Sequence, residues 1–164
     1  MPNWCENRVR LVAPTVDAAV EFESAFRAGN MMNAYLPVVV DNTPSPNGLP
    51  TWYVDRMSQW GVKWDIDPSS GYIERKGGYI YIEFDSAWQP PITFYEYLNE
   101  SGWAVEAYYF ECGMVFGGYY IDGTADSWSY QGGILSLDCF PTYLRKSFGD
   151  EAFNWFFEDD EPED

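Results

Sequence analysis

Carboxylates and tyrosines are the residues of this chain best spaced to act together. In Tyr79-Ile80-Tyr81-Ile82-Glu83-Phe84-Asp85 the polar and apolar residues alternate. An extended backbone therefore sets Tyr79, Tyr81, Glu83 and Asp85 on one side, with Ile80, Ile82 and Phe84 on the other. Glu106, Tyr109 and Glu111 fall in a later strand-like run that can lie alongside. Two close carboxylates can divide acid and base roles once one pKa is raised. Carboxylates beside aromatic rings also suit a glycosidase. Asp65-Ile66-Asp67 offers two oxygens to Mg2+, but no clear third carboxylate or phosphate cradle accompanies it. It reads as a solvated strand end before Pro68. Lys63 between Trp60 and Trp64 suits a cation–π contact.

Composition narrows the chemistry. The chain has 164 residues, 26 acidic against 9 basic, a net charge of −17 and no histidine. Without histidine there is no Ser-His-Asp or Cys-His nucleophile, no imidazole proton shuttle and almost no familiar zinc site. The scarcity of Lys and Arg argues against direct binding to nucleic acid or to an anionic membrane. Cys5, Cys112 and Cys139 form no paired motif and read as reduced thiols of a cytoplasmic protein, with Cys5 buried. The N-terminus has no apolar core of a signal peptide, and uncharged runs are too short to span a membrane. The expectation is a non-enzymatic protein with no catalytic residue, no metal and no cofactor.

The charge is unevenly placed. Residues 1–76 carry a net −2, residues 77–144 a net −9 with no Lys or Arg, and residues 145–164 a net −6. Six of the last seven residues, Glu158 to Asp164, are acidic, so 158–164 reads as a disordered tail after a single domain, 1–157.

The elements that must position these groups follow from periodicity. Asn7 to Ala13 reads as a strand. Val16 to Ala28 reads as a helix capped by Thr15, and residues 30–50 as a long loop. Thr51 to Trp60 reads as a short helix. Ser70 to Lys76 and Gly78 to Asp85 form a hairpin about Gly77-Gly78. Ile92 to Glu100 is helical, and Trp103 to Glu111 and Val115 to Asp122 are strands. Gly123 to Gly133 is turn-rich, Ile134 to Cys139 reads as a short strand, and Phe140 to Phe157 as a helix interrupted near Gly149. The expected core is Val9, Leu11, Phe22, Phe26, Ile80, Ile82, Phe84, Leu98 and Phe110. The order is α+β. Without the inserted helix it is βαββαβ, the ferredoxin-like arrangement, with a C-terminal hairpin extension and a C-terminal helix.

Four strings occur together: Asn3-Trp4-Cys5-Glu6-Asn7, Trp60-Gly61-Val62-Lys63-Trp64-Asp65, Phe84 to Pro91, and Glu111 to Gly118. In this order they resemble the YubB-like, DUF1281-type family of plasmids and phages over roughly residues 1–122. The resemblance implies a ferredoxin-like domain and a setting on mobile elements. It implies no activity and no catalytic residue.

Ferredoxin-like domains that bind RNA stack bases on aromatics of an open sheet face and hold phosphates with cations. Here the aromatics are present and the charge is reversed. The expected partner is thus a basic nucleic-acid-binding protein of a host defence system, met through Glu83, Asp85, Glu106, Glu111, Asp122, Asp126, Tyr79 and Tyr81. The chain then acts as a DNA or RNA mimic, an anti-CRISPR or anti-restriction inhibitor. A protein-binding adaptor without mimicry, a carboxylate enzyme and a small-molecule-binding domain are the alternatives.

Overall fold

The computed structural model describes residues 2–154 and 156. The expected tail, 158–164, lies outside the described residues. The first strand, β1 (Trp4–Val12), buries Cys5, Asn7, Val9 and Leu11 on one side and turns Glu6, Arg8, Arg10 and Val12 to the other. It starts earlier than its apolar pattern, because Trp4, Cys5 and Glu6 pair with Ala87, Ser86 and Asp85. Pro14 breaks the strand, and Thr15 accepts the Ala18 amide at 3.0 Å, which caps α1 (Val16–Arg27). One stripe of α1, Ala19, Phe22 and Phe26, is buried.

A loop leads to α2 (Thr51–Gln59), and the hairpin β2 (Tyr72–Lys76) and β3 (Tyr79–Ala87) follows. Then come α3 (Ile92–Glu100), β4 (Ala104–Glu111), β5 (Phe116–Ile121) and β6 (Thr124–Ser129). Among the described residues these six strands make one sheet, ordered β2-β3-β1-β4-β5-β6, with every neighbour antiparallel. The protein is α+β. Helices α1 and α3 cover the inner face, where Phe22, Phe26, Phe94, Tyr95 and Leu98 pack on Val9, Leu11, Ile80, Ile82, Phe84 and Val105. Each such side chain contributes about 1.5–3 kcal/mol by leaving water.

A second core lies on the outer face. Past β6 the chain makes a single 3-10 turn (Leu137–Cys139), then α4 (Thr142–Phe148) and α5 (Glu151–Asn154). Phe140, Leu144, Phe148 and Phe153 close over Phe110, whose ring meets Phe153 at 5.0 Å, edge to face. Phe110 is thus buried as expected, but on the side opposite Val9 and Leu11. The reason is alternation: Val105, Ala107 and Tyr109 face inward, so Phe110 faces out.

Three local expectations change. Thr124–Ser129 is a strand, not only a turn, held by its ladder to β5. Ile134 to Cys139 forms no strand. Phe140 is extended, and the helix begins after Pro141 and ends at Gly149, whose φ of 81° continues no helix.

Candidate functional site

The outer face divides into a covered half, under α4, and an open half along β2, β3, β1 and the end of β4. Strand β1 is central, so its outward residues fall between the carboxylates of β3 and β4. Register sets Arg8 opposite Glu83 on one side and Tyr108 on the other, and Arg10 between Tyr81 and Glu106. Arg8 donates to Ser147 O at 2.9 Å and to Glu6 at 3.3 Å, lies 3.8 Å from Glu83, and rests 4.9 Å from the Phe148 ring centroid. It therefore ties α4 to the sheet. Arg10 is more open and sits 3.5 Å from Glu106.

Each of three glutamates also accepts a tyrosine hydroxyl two residues away on its own strand. Tyr81 donates to Glu83 at 2.6 Å, Tyr108 to Glu106 at 3.0 Å, and Tyr72 to Glu74 at 3.2 Å. Burial, then the Glu83 carboxylate, pushes the Tyr81 phenol up to about 12. The centre of this face is a lattice of paired charges, not a bare acidic ridge.

The expected partner-binding residues distribute as follows. Tyr79, Tyr81, Glu83 and Asp85 share the outer face with Glu106. Asp126 lies opposite Tyr119 on the same side of the sheet, two strands farther on. Glu111 does not join them. It is 1% exposed, faces inward with Tyr109, and accepts the Gly113 and Met114 amides at the β4–β5 turn. Asp122 works in the next turn, where it accepts the Val105 amide at 2.8 Å and the Asn99 amide group at 3.3 Å.

Two clefts flank the arginines. One, of about 430 Å3, has Val12, Tyr79, Tyr81 and Ile121 among its apolar lining and Arg10, Lys76 and Glu106 among its charged lining. The other, of about 460 Å3, lies at the opposite end of the strands and is lined by Trp4, Trp64, Asp67, Ser70, Asp85 and Ala87, with Asp65 and Ile66 of the loop. Trp4 and Trp64 are 45% and 39% exposed, with ring centroids 6.1 Å apart and planes tilted 40°. The Asp85 side chain is half-buried and has no hydrogen bond or ion pair among the described residues. Burial, then the facing Glu6, raises its carboxyl above the usual carboxylate range.

Sequence reading missed Arg8, Arg10, Trp4 and Trp64 as parts of this face. The strand alternation of Glu6, Arg8 and Arg10 was a signal for the first two. The reach of Trp64 from the loop to Trp4 had none.

Other candidate groups have structural tasks. Asp65 accepts the amides of Met32, Asn33 and Ile66 at 2.9–3.1 Å, while Asp67 accepts from Ser69. The two carboxylates serve separate loops, and no group of three or more metal-ligating side chains converges among the described residues. Burial drives the Cys5 thiol far up, so it stays protonated. Lys63 does lie over Trp64, at 4.1 Å from the centroid. No described helix is long and apolar enough to cross a membrane.

The four sequence strings meet at the Trp4 end. Trp88 donates its amide to Asn3 O at 2.8 Å, Gln89 donates to Gly61 O, and the Gly113 backbone lies against Asn3. Comparison with protein-family models and with curated proteins yields no match. Solved structures include one to which the chain is similar. That is the crystal structure of a protein api92 from Yersinia pseudotuberculosis, family model DUF1281, at 10% identity and a TM-score of 0.43. The likeness covers 82% of this chain and 100% of that one. At that distance it says nothing of what this chain binds.

Proposed function

We propose that the chain is a non-enzymatic binding protein that offers the open half of its outer sheet face to a basic protein surface. The observation that carries this is the arrangement of Glu6, Glu83, Asp85 and Glu106 with Tyr79 and Tyr81 on three adjacent strands. Charges held on a sheet meet a partner without the ordering cost of a flexible arm. The order β2-β3-β1-β4, with α1 and α3 on the inner face, supports reading the first four strands as ferredoxin-like. In the full form of the proposal the partner is a nucleic-acid-binding subunit of a host defence complex. The chain then occupies its groove as an acidic mimic, in the cytoplasm of a cell that carries a phage or plasmid.

One observation favours the adaptor reading instead. Arg8 and Arg10 run through the middle of the face, so a partner must complement both signs. Binding to candidate defence complexes across salt concentration, with DNA or RNA as competitor, separates the two. Mimicry predicts stoichiometric inhibition, exclusion of nucleic acid and affinity that falls steeply as charges are screened. A complex that holds this protein and nucleic acid together, insensitive to salt, would leave the adaptor and remove the mimic.

A further inference from the structure

The cleft between Trp4, Trp64 and Asp85 combines features that nothing in the fold requires. Two indoles stand partly in water at a strand end, although burying either would be favourable. Between strand and loop, Asp85 holds a half-buried carboxylate with no donor. Its cross-strand neighbour Glu6 is already engaged by Arg8. Lys63 contacts the Trp64 ring but neither lines the cleft nor pairs with Asp85. The site therefore has π-faces and a solvent-accessible carboxylate that no described protein group engages, and its formal charges, Asp67 and Asp85 with Asp65 in the lining, are all negative.

Those features select the occupant. A metal ion finds one free carboxylate beside indoles, which are not ligands. A quaternary ammonium suits aromatic walls but has no N–H for Asp85. A guanidinium suits both: its plane stacks on an indole, and its fork of donors matches a carboxylate. We propose that this cleft receives an arginine side chain of the partner protein, stacked on the Trp4–Trp64 wall and hydrogen-bonded to Asp85. The inference rests on the reading above that the partner surface is basic, and it names the anchor of that contact. Trp and Arg are also the residues in which interface energy concentrates.

The cleft can be tested without the partner. The probe is the capped tripeptide acetyl-Gly-Arg-Gly-amide, titrated into the full chain while the Trp4 and Trp64 indole N–H signals are followed by NMR. A saturable shift of both signals is expected. The neutral citrulline tripeptide, of nearly the same shape, should give none, and the lysine tripeptide a weaker one. Asp85→Asn, which keeps the side-chain shape, should weaken arginine binding about tenfold, the loss of one charge-assisted pair. Trp64→Ala should weaken it as well. Equal shifts from arginine and citrulline, no shift at all, or unchanged affinity in Asp85→Asn would overturn the proposal. Such a result would concern this cleft alone, since the salt and competition experiment judges the broader reading separately.

Discussion

Tyr95 donates its hydroxyl to Asn7 Oδ1 at 2.8 Å and so bonds α3 to the central strand inside the core. Asn7 is fully buried, and its amide group donates in turn to Cys5 O at 3.0 Å and Ser86 Oγ at 2.8 Å. Ser86 passes the chain on to Gln89 O at 2.7 Å. A polar side chain sits in this core because each of its groups has a partner.

Tyr95→Phe removes the donor and leaves the Asn7 carbonyl buried without one. We expect a loss of about 1–3 kcal/mol in urea unfolding, with little change in the slope. A loss under about 0.5 kcal/mol would show that the network tolerates the gap.

Gly117 governs the docking of α4. A Cβ there would stand 2.7 Å from both Leu144 Cδ1 and Tyr109 O, and the latter is backbone that cannot give way. Gly117→Ala should cost about 1–3 kcal/mol. Hydrogen exchange should rise across Thr142–Phe148 while α1 keeps its protection. Gly77→Ala is the control. Its Cβ meets nothing within 4 Å, so only the φ of 61° is strained, at about 1 kcal/mol. Uniformly faster exchange in Gly117→Ala would mean that the two cores unfold as one.

Asp85 gives a pH signature. Its folded-state pKa is raised, by burial first and Glu6 second, so the native state holds this proton more tightly than the unfolded chain. Its contribution is therefore full below the ordinary carboxylate pKa and is lost as pH rises through the raised value. Asp85→Asn should be more stable than the parent near pH 7, and the gain should vanish on acidification below about pH 4. Thermal melts across that range decide it; a variant that is less stable at neutral pH would refute it. A stabilised Asp85→Asn that has also lost arginine binding would be a case of stability given up for a contact.

Much of the inner architecture was legible because Val9, Leu11, Phe22, Phe26, Ile80, Ile82 and Phe84 carry their burial in their spacing. The outer face was not. Which strands neighbour Glu83 and Glu106 depends on strand order, and alternation within one strand contains no information about it. Hence β1 slid two arginines between carboxylates that looked unopposed. The inward turn of Glu111 was readable, since it shares parity with Val105 and Ala107 and not with Glu106. Strand β6 was obscured because Thr124–Ser129 is mostly exposed and has little apolar pattern; its ladder to β5 holds it.

Among the described residues the sheet does not close, so β2 and β6 each have one rim of backbone without a neighbour in the sheet. Such rims are templates on which another strand can grow. Strand β2 guards its rim with Glu74, Arg75 and Lys76 in sequence, charges of both signs. Strand β6 has Asp126 alone. One charge is a thin guard, because Thr124, Ala125, Ser127 and Ser129 along the same strand are exposed and neutral. Self-association of this protein should then begin at β6, by edge-to-edge extension of intact sheets and ahead of any unfolding.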